Sequence, residues 1–203
     1  MEASRKRKSL RLPGYDYSRS GAYFVSICTK DQKCLFGEIV NQEMVLNDAG
    51  SMIMTVWNEL AQRFSRIELI EHITMPNHIH GIIAIVGVPL VGTRKPIGDS
   101  PNRADTRQRA DTRPAPTAGL GDIVGAFKSI TTHEYIRGVR QYGWTAFPGK
   151  LWQRNYYEHV VRNEKELTRI REYIRNNPAK WDADKDNPFT QAFDNHSHTI
   201  KEQ

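Results

Sequence analysis

Cysteine is nearly absent: Cys28 and Cys34 are the only two in 203 residues. That scarcity excludes a disulfide-stapled scaffold and a cysteine-rich zinc module, and a reducing, cytoplasmic setting is expected. Long apolar runs are absent too. The longest lies around Ile82–Val88, far below the roughly 20 residues of a membrane span, so no membrane partner is expected. The basic residues Arg5, Lys6, Arg7 and Lys8 are not followed by an apolar stretch, so a secretory signal is not expected. Acidic residues are in the minority, 23 against 29 Lys+Arg, for a net charge of +6. This surplus suits a polyanionic partner without naming one.

What is present suits one domain of modest size with extras at its ends. Residues 1–13 form a basic arm expected to be disordered, and 183–203 a polar tail. Between them, 14–182 carries the periodicities of a single domain. Tyr23–Thr29 is rich in β-branched and aromatic residues and predicts a strand. Phe36–Asn41 and Glu43–Leu46 predict a short hairpin around Asn41 and Gln42. Asn47 or Asp48 offers a cap for a helix whose stripe is Ile53, Val56, Trp57, Leu60 and Phe64. Two strands follow, 67–74 and 78–86, separated by the turn Met75, Pro76 and Asn77.

Residues 87–118 break the pattern. They hold a tandem hexamer, 103–108 and 109–114, and almost no large apolar residue after Ile97. They read as a low-complexity insertion. Beyond it, Ile123, Val124, Phe127, Ile130, Tyr135 and Ile136 mark a second amphipathic helix. Residues 151–161 are strand or extended chain. Asn163 with Glu166 resembles a capping box opening a third helix, with Leu167, Ile170 and Ile174 inward and Asn177-Pro178 ending it. The series of strand, helix, strand, strand, helix, strand and helix predicts an α+β fold. The expected form is a ferredoxin-like split βαβ, an antiparallel sheet with helices on one face plus the C-terminal helix.

Two segments carry chemistry. His78 and His80, two apart on a strand, point to the same face, with Ile79 on the other. The pair can chelate one ion. No cysteine or carboxylate partner is spaced nearby, though Glu71 and His72 lie on the neighbouring strand; an open site completed by oxygen ligands fits better than closed zinc, which suits Mg²⁺ or Mn²⁺. In the last helix, Tyr173 and Asn177 are i and i+4 and share a face, among Arg169, Arg171 and Arg175. Tyr173 also suits a packing residue beside Ile170 and Ile174, and Asn177 a C-terminal cap.

Taken in order, Leu12–Asp16, Tyr23–Thr29, Met75–Gly81, Gly125–Ser129, Trp152–His159 and Tyr173–Pro178 resemble the single-tyrosine HUH transposases. These form the IS200/IS605-like superfamily, and the resemblance is strongest to the transposases associated with repetitive extragenic palindromes. It runs from about Leu12 to Trp181, and neither the insertion nor the tail belongs to it. The resemblance implies that His78 and His80 are metal ligands, that Asn177 completes the metal site, and that Tyr173 is the nucleophile. It further implies a divalent metal, a homodimer, and cleavage and rejoining of single-stranded DNA near hairpins through a 5′-phosphotyrosine.

Other residues of these motifs have plainer readings. Lys128 is a candidate phosphate contact or a solvated helical lysine. Trp152, Gln153, Glu158 and His159 are expected to brace the sheet against the last helix. Tyr156 and Tyr157 are rival nucleophiles without an i+4 polar partner. His196 and His198 repeat the spacing by chance in a polar tail. The alternative function is a non-catalytic ferredoxin-like nucleic-acid-binding module, which leaves the histidine pair without a purpose. A domesticated enzyme that cleaves without moving shares every feature of the first reading.

Overall fold

The computed structural model describes residues 14–87 and 118–188. The basic arm, residues 88–117 of the insertion, and 189–203 with His196 and His198 lie outside the described residues.

The β-branched and aromatic run forms β1 (Gly21–Cys28), one of the two inner strands of a four-stranded sheet. A hairpin of β2 (Gly37–Val40) and β3 (Glu43–Leu46) follows as a separate two-stranded sheet. Its two-residue turn puts Asn41 and Gln42 at φ 50° and 67°, the left-handed pair that matches strand twist in such hairpins. Helix α1 (Asp48–Arg63) comes next, then β4 (Ile67–Met75), β5 (His78–Ile85), α2 (Leu120–Tyr142), β6 (Tyr157–Val161) and α3 (Glu164–Arg175).

The large sheet has the order β4-β5-β1-β6, and all three pairings are antiparallel. With β1-α1-β4 and β5-α2-β6 as its two halves, the fold is the α+β, ferredoxin-like arrangement. Alternation along the strands separates two apolar layers. Tyr23, Val25, Ile27, Ile79, Ile83 and Ile85 face the main core with Ile53, Trp57 and Leu60 of α1 and Ile123, Val124 and Phe127 of α2. Phe24 and Ile82 face the other way, against Ile170 and Ile174 of α3. Covering on both sides explains why β5 reads as an unbroken apolar run. Helices α1 and α2 share one face, and the C-terminal helix takes the face that carries the histidines.

Helix starts follow the capping residues. Asn47 caps α1: its Oδ1 accepts from the Gly50 amide at 2.9 Å, and its Nδ2 donates to the Leu35 carbonyl at 3.1 Å. Asn47→Ala is expected to destabilise by about 1 kcal/mol, read as a lower denaturation midpoint with unchanged slope. Asn163 caps α3 by accepting from the Glu166 amide. The Glu166 carboxylate reaches back to the Arg162 amide rather than to Asn163, so the expected box closes one residue early.

Three expectations change. Ile136 is exposed rather than core-facing. Within 151–161, expected as strand or extended chain, the ladder is Tyr157–Val161; Leu151 and Trp152 are buried, and Trp152 bridges Thr29. The polar tail starts later than 183. The chain turns after α3 through a short 3-10 helix, Pro178–Ala183, that buries Trp181. Asn187 is then buried and donates to the Trp181 carbonyl at 3.0 Å.

Candidate active site

The turn after β4 delivers the histidines. The Pro76 carbonyl accepts from the amides of Leu35 and Phe36, and the Asn77 carbonyl from that of Thr29. This pins the start of β5, where His78 lies opposite Cys28 and His80 opposite Ser26. His78 and His80 are 0% and 3% exposed, and their Nε2 atoms face each other at 3.0 Å. Ile79 points into the main core, as alternation requires.

Burial lowers the His78 imidazole to about 4, with Asp186 and Asp184 pulling the other way. His80 is pushed well below its usual range, first by burial and then by His78. Both rings are neutral at pH 7, the state in which imidazole offers a lone pair.

Helix α3 brings Tyr173 to this pair. The phenolic oxygen lies 3.3 Å from His80 Nε2, and the ring centroids are 5.3 Å apart. Phe24 supports both rings, 5.4 Å from His80 and edge-on to Tyr173 at 6.1 Å. Burial raises the Tyr173 pKa, and the charges of Asp184 and Asp186 add to the rise, while a hydrogen bond from the Asn177 side chain opposes it. Asn177 is 1% exposed, and its Oδ1 is buried without a hydrogen-bond partner.

The donor set fits a divalent cation. Two neutral nitrogens 3.0 Å apart have the separation of neighbouring ligands each about 2.1 Å from one ion. A buried amide oxygen with no partner costs free energy unless something else satisfies it. Among the described residues, no group of three or more His, Cys, Asp or Glu is placed to hold a metal. The groups offered are two imidazole nitrogens facing each other and, on the segment after α3, a buried amide oxygen. Burial, with Asp186 adding, pushes the Cys28 thiol up to about 11.

A cleft of about 370 Å³ opens beside His80. Phe24, Ser26, Gln153, Tyr157, Tyr173 and Asp186 are among its lining residues. Tyr157 is half exposed and meets Phe24 at 6.2 Å; the hydroxyl that meets the histidine pair is that of Tyr173. Tyr156 lies under the Lys128 ammonium, 5.5 Å from ring centre to Nζ.

The basic residues divide. Lys128 is half-buried. Its ammonium donates to the carbonyls of Gln153, Arg154 and Asn155 at 2.9, 3.5 and 3.1 Å, and burial lowers its pKa to about 8. It braces the loop that walls the cleft. Arg175 and Arg171 both reach the Glu71 carboxylate, at 2.7 and 3.5 Å. Arg169 is the most open of the three, with a loose contact to Glu166 at 3.7 Å. His159 joins β6 to α3 through Glu166 at 2.7 Å, a brace of the expected kind. Trp152 braces α2 instead, donating to Thr131 Oγ1 at 2.9 Å.

Sequence reasoning missed Asp184 and Asp186, whose charges act on His78 and Tyr173. It also gave Asn77 no role beyond its place in the turn and in the Met75–Gly81 motif. Neither lies on a periodic element, so no spacing marks them.

Fold and site define a ferredoxin-like α+β protein with a buried histidine pair facing a helical tyrosine. The chain belongs to one family with an uncharacterized protein of Haemophilus influenzae: the two are 36% identical over 178 residues, 88% of this chain and 91% of that protein. No family model matches the chain. Among solved structures it is similar to a REP-associated tyrosine transposase bound to a REP hairpin. The sequence identity there is 17% and the TM-score 0.48, over 88% of this chain and 74% of that one.

Proposed function

We propose that the chain is a metal-dependent single-strand DNA transposase that cleaves and rejoins DNA near hairpins through a 5′-phosphotyrosine on Tyr173. The observation that carries this reading is the Tyr173 hydroxyl 3.3 Å from a buried histidine pair. The ordered motifs that resemble single-tyrosine HUH transposases point the same way. A non-catalytic binding module has no use for two buried neutral imidazoles facing an otherwise awkwardly placed phenol.

His78, His80 and Asn177 would hold Mg²⁺ or Mn²⁺. Once bound, such an ion supplies positive charge to the scissile phosphate and to the phenol. The chain alone works against ionising Tyr173, since burial and two aspartates raise its pKa. The Asn177 hydrogen bond and α3 keep the hydroxyl aimed at the pair, which is the orientation a displacement at phosphorus needs. In that displacement the Tyr173 Oη–P bond forms and the P–O3′ bond breaks. The phenolic proton leaves, and a proton ends on the released 3′-oxygen. The phosphodiester is conserved as a phosphotyrosine, so a 3′-OH can reverse the step and join strands. The cleft receives the strand around the cut, and Arg169 meets its backbone more readily than Arg171 or Arg175, which Glu71 holds. A homodimer fits the reading, as in the family that the motifs resemble.

The test uses hairpin-bearing single strands from the DNA flanking the gene, labelled at either end, with Mg²⁺ or Mn²⁺. On a denaturing gel the 3′-labelled strand is expected to migrate with the protein. The 5′-labelled strand is expected to yield a shorter free fragment, and EDTA to abolish both. Cleavage without any covalent band overturns the phosphotyrosine, and label retained from the 5′ end reverses its polarity.

A further inference from the structure

Asn77 is wholly buried in the turn between β4 and β5, and its side chain is fully engaged in three directions. Nδ2 lies 3.0 Å from the Gln32 carbonyl and 2.6 Å from the Asp186 carbonyl. Oδ1 lies 2.8 Å from His78 Nδ1. Carbonyl oxygens only accept, so the nitrogen of the amide must face Gln32 and Asp186. The oxygen must then face His78, and the His78 nitrogen it meets must carry the proton. His78 is therefore the Nδ1–H tautomer, with its Nε2 lone pair directed at His80.

We propose that Asn77 is the positioning residue of the histidine pair: its carbonyl selects the His78 tautomer that leaves Nε2 free for a cation, while its amide fastens the Asp184–Asn187 segment beside the cleft. The proposal rests on the reading that His78 and His80 hold a divalent ion. A donor to a carbonyl oxygen fixes both which imidazole nitrogen is free and how the ring is turned. The amide half joins three stretches far apart in sequence. Gln32 follows β1, Asn77 ends the turn after β4, and Asp186 follows α3. The Asp186 carboxylate also accepts from Gln32 Nε2 at 3.1 Å, and its amide donates to Asp184 Oδ1 at 2.8 Å. One side chain thus sets the imidazole and holds the acidic segment whose charges act on it.

The two halves separate by substitution. Asn77→Asp keeps an acceptor for His78 Nδ1–H but turns a second oxygen toward the Gln32 and Asp186 carbonyls. Asn77→Ala removes both functions. The first measurement is long-range ¹H–¹⁵N correlation of the histidines in the metal-free full-length protein, where wild type is expected to show His78 protonated at Nδ1. Asn77→Asp is expected to keep that signature, and Asn77→Ala to lose it. Calorimetric Mn²⁺ titration is expected to weaken by about 10- to 100-fold in Asn77→Ala and to stay within about threefold in Asn77→Asp. Exchange of the Asp186 amide is expected to rise at least about tenfold in both.

A wild-type His78 protonated at Nε2 overturns the proposal, and so does an Asn77→Ala protein that keeps the wild-type signature. The wild-type spectrum decides even where Asn77→Ala does not fold. If wild type binds no Mn²⁺, the reading of the pair as a metal site fails, and the tautomer spectra alone decide what Asn77 does.

Discussion

Replacing Tyr173 by Phe is expected to reduce covalent DNA adduct by at least about 10³-fold, to the background of the assay. The substitution removes one oxygen and little else. The ring keeps its edge-on contact with Phe24 and its place beside His80. What disappears is the contact to His80 Nε2 and the hydrogen bond with Asn177. Stability should therefore move by no more than about 1 kcal/mol. Binding of the uncut hairpin should remain, because the ring, the cleft wall and Arg169 are untouched.

Tyr157→Phe is the matched control. Tyr157 touches the same Phe24, on a neighbouring strand, so a role in shaping the cleft would be shared while a role in bonding to phosphorus would not. Adduct surviving in Tyr173→Phe and lost in Tyr157→Phe transfers the nucleophile to Tyr157. Loss in both, with folding intact, makes Phe24 and its two tyrosines a DNA-binding surface and removes the case for either as nucleophile.

The parts legible in advance are those that a single element specifies. The alternation in β5 places His78 and His80 on one face without any knowledge of neighbours. The apolar stripe of Ile170 and Ile174 sets the face of α3 that carries Tyr173 in the same way, whereas Asn177 lies beyond the end of α3, at the start of the 3-10 helix. The hairpin turn at Asn41 and Gln42 and the cap at Asn47 are local too. Parts that depend on a distant partner were not legible. Nothing near Lys128 announces three carbonyls from residues 153–155, and nothing near Arg175 announces Glu71 about a hundred residues earlier in the chain. Both side chains look like ordinary surface charge until the fold gives each a fixed acceptor. Ile136 fails for the opposite reason: it is apolar and lies beside the helical stripe, but the buried positions of that turn are Tyr135 and Gly138. The acidic segment 184–187 is polar, short and aperiodic, so only its packing on Trp181, Gln32 and Asn77 gives it a place.

The largest stability effect is expected from a position that carries no side chain. Gly81 lies between His80 and Ile82 on β5, opposite Val25 of β1 and His72 of β4. Its missing Cβ would point into the main core, 2.1 Å from Cζ2 and 2.6 Å from Cη2 of Trp57. Trp57 is fully buried and cannot swing away, since Phe127 packs on it at 5.3 Å and His72 at 6.0 Å. Gly81→Ala must therefore move the indole or push β5 off α1. Either is overpacking, expected to cost about 3 kcal/mol. For a domain of this size that lowers Tm by about 6–12 °C.

The cause can be isolated with Trp57→Phe, which deletes the part of the indole that the added methyl would strike. Trp57→Phe alone destabilises by leaving a void. Combined with Gly81→Ala, the two should be less harmful than their sum by at least about 1 kcal/mol. Strict additivity in the double mutant would show that the cost of Gly81→Ala comes from elsewhere than the indole. The same substitution reports on the site, because the strand that moves carries both histidines on its other face. A protein rescued by Trp57→Phe in Tm should also regain Mn²⁺ affinity. Regained Tm without regained affinity would mean that the histidine pair needs β5 seated more closely than stability alone demands.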